Sequence, residues 1–464
     1  MARVAGPLSR RGVCKSVSRM TRIFLVAMLT FLGVRAEAQS PVSLKWTETW
    51  QPGYSPNNPV AIAADPAGGV IAVGESGDQP LAIKYDTNGN TVWRNWLTSQ
   101  NIFMGSTAVA VAEDAAGDVF VLSALNVSIS IQRLNIPDTA LAKYNAEGVR
   151  QWVDFSTVNT PAVGLAVTPD GEAYVLSWTQ LQNGPGVVTE KYDANGKQLW
   201  QAVEPVATAT VGEAREGGPV TIRLDGLGNV YTAANNGLAG EIFRYDANGN
   251  LLNTIGGGTL GLIRKYQADA AGNSYVLGGA ASTQDRIVAK FLPDGTLEWK
   301  NDLGPQLSEP VDQACCSVID DTLKDIGVDL AGDVFTLQDE PSIPATPSGW
   351  DMVILKFSAS GTREWAERFN TAGAAHTDQD RAVAMAVSDE GDSYITGFPN
   401  SGPGGTITAK FNSTGTQVWE RPLGIQNGGS IAIALGTNGQ VFVESAGGPT
   451  GCWRRGRGRP QSAR

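Results

Sequence analysis

Catalysis needs a nucleophile, a general base or a set of metal ligands, and this chain of 464 residues offers few candidates. His376 is its one histidine, in Ala375-His376-Thr377-Asp378-Gln379-Asp380. A Ser-His-Asp triad would have to use it, and a metal site built on two histidines is ruled out. The plainer reading is an exposed polar residue on a loop. Cys315-Cys316 could close a strained disulfide between neighbours in an oxidising compartment, or stay as two thiols. Glu309, Asp312, Asp320, Asp321 and Asp325 surround the pair, so the stretch suits a cation or a basic partner, or is simply a solvated acidic loop. Cys315, Cys316, Asp320, Asp321, His376, Asp378 and Asp380 are therefore the candidate binding residues. No residue is assigned to catalysis, to a metal or to a cofactor.

Asp86-Thr87-Asn88-Gly89-Asn90 has its oxygens spaced as calcium loops space theirs. A tight turn explains the same spacing. A polar first residue with Gly three places on suits a type I turn whose last residue takes positive φ. The pattern recurs at Asn145 and Gly148, Asp193 and Gly196, Asp246 and Gly249, Ser358 and Gly361, and Asn412 and Gly415. It is weaker at Leu292 and Gly295, where Leu would be a poor ligand. These seven glycines are expected to be structural.

The turns must be held by paired strands. Four residues before each Gly stands an aromatic ring, from Tyr85 to Phe411, preceded by a cation such as Lys84, Lys191 or Arg244. A half-buried Lys needs a partner, so this column predicts ion pairs with a neighbouring strand. Four residues after the Gly stands Trp93, Trp152, Trp200, Trp299, Trp365 or Trp419, and Asn253 alone breaks the column. A second hairpin family interleaves with the first. Its turns begin at Asp65, Asp114, Thr168, Asp225, Asp269, Asp329, Ser388 and Gly436, with small and β-branched residues around them. From Gly68 to Gly439 its glycines advance with a mean period of about 53 residues. Alternating hairpins make four-stranded antiparallel units, and repetition at that period predicts an all-β propeller.

Eight hairpins of the second family favour eight blades, with seven plus a stray hairpin as the alternative. Residues 41–50 read as a last strand without a partner, with Trp46 in the place of the repeated Trp. We expect that N-terminal strand to close the ring, because an open ring leaves two unpaired sheet edges. In such blades the tight turns share one rim, and the longer excursions (123–138, 201–218, 301–324, 338–348 and 370–381) share the other. Binding residues tend to sit on loops held by a rigid frame, so any site is expected on that second rim or at the channel mouth.

The ends differ in composition. Basic residues precede the apolar run 23–34, and Ala36-Glu37-Ala38 follows as a small-x-small cleavage site, so 1–38 reads as a signal peptide. Met20 is a second candidate start, giving a signal of more ordinary length. The run is too short for an anchored span, so no stable membrane insertion is expected. The propeller is placed at 39–449, and the Arg/Gly-rich 450–464 reads as a basic disordered tail, or as the product of a slipped reading frame. Residues 39–449 hold 23 basic and 45 acidic residues, a balance that repels nucleic acid and anionic lipid. With Cys14 in the leader and Cys452 in the tail, no cross-linking disulfide framework is available.

Asp269-Ala270-Ala271-Gly272-Asn273-Ser274-Tyr275-Val276, and Lys191-Tyr192-Asp193-Ala194-Asn195-Gly196 with its following Trp200, resemble the SBBP-type β-propeller repeats of secreted bacterial proteins over about residues 41–449. The resemblance implies an exported propeller, secreted or periplasmic, and brings no catalytic motif. On this reading the chain is a monomeric, non-catalytic binding or scaffold module for a protein or glycan partner, with Trp178 and Trp350 as exposed rings for a glycan. A more distant similarity is to quinoprotein dehydrogenases, through Asp193 to Trp200 and Cys315-Cys316. It implies, as the alternative, a quinone-dependent oxidoreductase; Asp and Gly here stand one residue closer than in that motif.

Overall fold

The structure is a computed structural model that describes residues 43–48, 57–77, 79–97, 106–125, 139–156, 161–181, 184–206, 218–235, 239–256, 259–280, 285–304, 322–342, 349–370, 380–399, 405–423 and 428–447. It falls into two compact units, Met1–Lys45 and Trp46–Arg464. In the first, the described residues 43–45 are exposed and irregular.

The second unit is an all-β propeller. Seven four-stranded antiparallel sheets follow one another as blades at 57–96, 107–156, 162–205, 218–255, 260–302, 323–369 and 380–423. A two-stranded sheet, Gly428–Leu435 with Val441–Gly447, comes last. The first strand of each blade touches the first strand of the next, and Gly428–Leu435 touches the first strands of both the seventh blade and the first. Among the described residues the ring therefore contains seven blades and one half-blade.

Two expectations are corrected here. Eight four-stranded blades are not present: the described chain supplies two strands to the last sheet. The N-terminal closing strand is not one either, since Trp46 to Glu48 adopt no strand. A fourth strand forms its ladder with a third, and the described residues put no third strand there to receive it.

Local chemistry dictates the turns as read. Asp86 Oδ1 accepts the backbone N–H groups of Asn88 and Asn90, both at 2.8 Å, and Gly89 donates to the Asp86 carbonyl at 3.1 Å. Asp225 receives Leu227 and Asn229 in the same way, at 2.9 and 2.8 Å. All fifteen glycines placed at the turns of the two families take positive φ. In the first family, Gly148, Gly196, Gly249, Gly361 and Gly415 donate to the carbonyls of Asn145, Asp193, Asp246, Ser358 and Asn412 at 2.8–3.0 Å. The weak member folds identically: Gly295 donates to the Leu292 carbonyl at 2.9 Å. There Asp294 Oδ1 takes the Thr296 N–H at 2.9 Å, in place of a first-position side chain.

The core lies between blades rather than within them. Ile71, Val73 and Ala82 of the first blade pack on Val119, Val121 and Tyr144 of the second, and similar apolar layers recur between later blades. Second and third strands are buried on both faces and read as nearly continuous apolar runs, whereas fourth strands such as Gln198–Pro205 and Leu297–Asp302 are largely exposed.

Candidate binding face

Three repeated contacts make the turn rim rigid. The first joins neighbouring blades, with the fourth-strand Trp of five blades lying on the turn of the next. Trp93, Trp152, Trp200, Trp299 and Trp365 donate Nε1–H to the carbonyls of Ala146, Ala194, Ala247, Ala359 and Ser413 at 3.0–3.1 Å. Their indoles cover Gly148, Gly196, Gly249, Gly361 and Gly415 so closely that a Cβ on any of these would stand 2.5–3.0 Å from ring carbon. Trp46 covers Gly89 in the same way and donates to the Thr87 carbonyl at 3.2 Å.

Gly295 departs from this pattern. No ring lies on it, because Asn253 fills the broken place in the Trp column; a Cβ there would meet Asn253 Nδ2 at 3.3 Å. Asn253 donates Nδ2–H to the Pro293 carbonyl at 3.1 Å, so the donor is kept although the ring is lost. Gly295 therefore serves its own turn and no indole contact.

The second contact is the predicted ion-pair column. Lys84 bonds Glu113 at 2.8 Å, Lys143 bonds Asp118 at 2.9 Å, Lys191 bonds Glu172 at 2.8 Å, and Lys356 lies between Asp333 and Glu364 at 2.8 and 2.9 Å. The third is cation–π: Lys143 sits 4.8 Å over Phe120, and Lys191, Lys290, Lys356 and Lys410 sit over their own blades' second-strand rings. On this rim Asp86 and Asp225 give carboxylate oxygens to backbone amides, and Glu113, Asp118, Glu172, Asp333 and Glu364 each give one to a lysine.

The opposite rim carries the connections. In the second blade, Val119 pairs with Tyr144 next to the tight turns, while Ala124 pairs with Thr139 at the far end, where the excursion 126–138 leaves. Cys315, Cys316, Asp320 and Asp321 belong to the connection from the fifth to the sixth blade, and His376 and Asp378 to that from the sixth to the seventh. All six lie outside the described residues. Asp380 is described and stands fully buried at the start of the seventh blade's first strand, opposite Pro399, not on an exposed loop. Asp325, read as part of the acidic loop, is likewise in a strand, Leu323–Val328.

The strand ends from which those two connections leave carry a charged network that the sequence reading did not find. Arg368 bonds Glu340 at 2.5 Å and Asp351 at 3.4 Å. Asp351 also accepts from Ser342 Oγ at 2.7 Å and Asn370 Nδ2 at 2.8 Å. Gln338 donates to Glu340 at 2.6 Å, and Arg286 of the fifth blade approaches Glu340 at 3.6 Å. Buried Asp339 accepts the Ala382 N–H at 2.9 Å and faces Lys324 and Arg381 at 3.3 and 3.6 Å, tying the sixth blade to the seventh. Beneath this network a cavity of about 410 Å³ opens between the fifth and sixth blades, with Leu303, Val353, Leu355 and Phe357 in its wall and Asn301, Asp302, Gln338, Glu340, Arg363 and Arg368 as its polar groups.

A second polar group lines the axis. Arg223 donates to Gln267 at 2.5 Å and to Thr221 at 2.7 Å. Asp325 Oδ2 accepts the Met385 N–H at 2.9 Å, and burial raises its carboxyl above the usual range, against the pull of nearby Lys265. Burial likewise lowers the Arg223 guanidinium. Charged residues in innermost strands, where neighbouring blades place small ones, were the available sequence signal. Trp350 corrects another expectation, being 4 % exposed and covered by Arg381 at 5.3 Å, whereas Trp178 is 38 % exposed.

Groups of three or more His, Cys, Asp or Glu able to hold a metal are absent among the described residues. So are helices long and apolar enough to cross a membrane.

No family model matches the chain, and no curated protein does. Solved structures similar to it include a Bacteroides caccae protein of unknown function (13 % identity, 69 % of this chain and 97 % of that one, TM-score 0.35). Others are the Neurospora crassa Pan2 WD40 domain (11 %, 80 % and 91 %, TM-score 0.45) and a prolyl endopeptidase (11 %, 83 % and 54 %, TM-score 0.47). The class of the protein, a β-propeller of four-stranded blades, rests on its own sheet topology.

Proposed function

We propose that the chain is an exported propeller of the SBBP type, secreted or periplasmic, that acts as a non-catalytic binding or scaffold module through its connection rim. One observation carries this reading: the two rims differ in kind. The turn rim repeats closed contacts from blade to blade with one departure at Gly295, whereas the strand ends of the connection rim hold the Arg286–Glu340–Arg368–Asp351 network and are joined by segments of variable length and sequence. A rigid frame beneath variable loops supplies specificity without a reacting group, and an acidic body favours a basic or neutral partner. The partner is a protein or a glycan.

Exchanging 305–321 and 371–379 for short Gly-Ser links tests this, with binding read on glycan and protein arrays. We expect array signals to be lost while the melting temperature stays within about 3 °C, because no blade strand is altered. Signals that survive the exchange would refute the reading. So would calcium-dependent uptake of pyrroloquinoline quinone with a new absorbance band, which belongs to the oxidoreductase alternative.

A further inference from the structure

The innermost described strands form a circle, each touching its two neighbours, with Gly428–Leu435 against the first blade. Opposite the residue three places after the turn glycine they carry Ala63, Ala112, Ala166, Gly327, Ala386 and Ala434, but Arg223 in the fourth blade and Gln267 in the fifth. Two residues earlier stand Ala or Gly again, except for Thr221, Lys265 and Asp325 in the fourth, fifth and sixth blades. Small residues are needed where the next strand presses on them: a Cβ on Gly164 would lie 3.2 Å from Ile222 Cγ2, and one on Gly327 would run into the Val387 side chain. Longer side chains there turn toward the axis, and Arg223, Lys265, Gln267 and Asp325 all keep partial exposure. The axial wall is thus aliphatic over the half-blade and blades one, two, three and seven, and polar over blades four to six.

The polar side chains converge. Arg223 donates Nε–H to Gln267 at 2.5 Å and Nη1–H to Thr221 Oγ1 at 2.7 Å, so neutral acceptors set its orientation and leave its charge unpaired. Arg223 and Asp325 act on each other electrostatically, although the fifth blade's first strand, Leu260–Ala268, separates their strands. The two side chains therefore approach in front of that strand, on its axial side, where Lys265 also acts on Asp325. Asp325 spends its oxygens on the N–H groups of Met385 and Ile326, both at 2.9 Å. Among the described residues no carboxylate lies within ion-pair distance of Arg223 or Lys265. Residues 39–449 hold 45 acidic and 23 basic residues, so two cations without a direct carboxylate make this a local positive site in an acidic body.

We propose that this axial wall binds a small organic monocarboxylate, with Arg223 and Lys265 donating to its headgroup and the alanine-rich wall beside its aliphatic body. A guanidinium presents paired N–H groups to a carboxylate, and Arg223 Nη2 makes no bond among the described residues. One negative charge, added to that of Asp325, balances the two cations, which favours a monoanion over a dianion. The site is separate from the connection rim, so it extends the binding role of the chain without resting on the excursions.

Isothermal titration calorimetry of the full chain with hexanoate, and with sulfate as an anion lacking an aliphatic body, tests this. Hexanoate should saturate a single site, and sulfate should bind about tenfold more weakly. Lys265→Met removes no hydrogen bond among the described residues; it should weaken hexanoate about tenfold and leave the melting temperature within about 3 °C. Asp325→Asn keeps an oxygen for a backbone amide and removes the opposing charge, so it should tighten hexanoate severalfold, which a purely structural role of Asp325 would not do. Four results overturn the proposal: no saturable binding at millimolar hexanoate, equal affinity in Lys265→Met, sulfate binding as tightly as hexanoate, or weaker hexanoate binding in a folded Asp325→Asn variant.

Discussion

The indole of Trp93 lies directly on Gly148 of the next blade, so that a Cβ on that glycine would stand 2.5 Å from Trp93 Cγ. Gly228 also has positive φ, yet a Cβ there would meet nothing within 4 Å. Gly228→Ala should therefore cost about 1 kcal/mol from backbone strain. Gly148→Ala should cost a further ~1–3 kcal/mol, because the indole must move. Urea unfolding at constant slope measures both, and equal costs would show that the indole contact contributes nothing.

Asn253 holds the place of a Trp by its donor. Asn253→Asp turns that donor into an acceptor facing the Pro293 carbonyl, and should cost about 2 kcal/mol at pH 8. Unchanged stability at that pH would mean the bond is not what joins the fourth blade to the fifth.

Glu190 is buried and receives the amides of Gln198 and Gln201 at 3.0 and 3.1 Å. Burial, reinforced by the Asp154 charge, pushes its carboxyl from 4.5 to about 7. An acid whose folded value lies above its unfolded one binds its proton more tightly when folded, so stability falls as pH rises between those values. Glu190→Gln should remove about 2–3 kcal/mol of that decline between pH 4.5 and 7. A pH profile of unfolding that keeps its slope in the variant would contradict the assignment.

Lys143 neutralises Asp114 and Asp118 at 3.4 and 2.9 Å. Lys143→Met should destabilise by about 3 kcal/mol, since it strands two carboxylates at a blade junction. Adding Asp114→Asn and Asp118→Asn should return most of that loss. A single variant within about 0.5 kcal/mol of the parent, on the scale of a surface pair, would make the column ornamental.

The frame was legible because turns and stacked rings are local chemistry. Asp86 to Asn90 encodes its own turn, and the distance from Gly148 to Trp152 fixes which side of a hairpin carries the ring. Even the lysine column announced its need for partners. The blade count was not legible, because it depends on whether residues far apart in sequence share a ladder, and Trp46 keeps its ring contacts without one. The Arg286–Glu340–Arg368–Asp351 network was hidden for a related reason: its members come from the third strand of one blade and three strands of the next, and charge at strand ends reads as ordinary solvation. Trp350 was misjudged because its cover, Arg381, arrives from the following blade.

Trp46 lies across the seam between the first blade and the half-blade, where it touches Tyr85 at 5.8 Å, Phe442 at 6.1 Å and the Thr87 carbonyl. Calorimetric unfolding of Trp46→Ala, beside Trp152→Ala as an internal standard, measures its part. The closed ring predicts a fall in melting temperature comparable to that of Trp152→Ala, on the order of 5 °C or more, with one cooperative transition. A transition unchanged by Trp46→Ala, beside a clear fall for Trp152→Ala, would show that the indole contributes nothing to that seam.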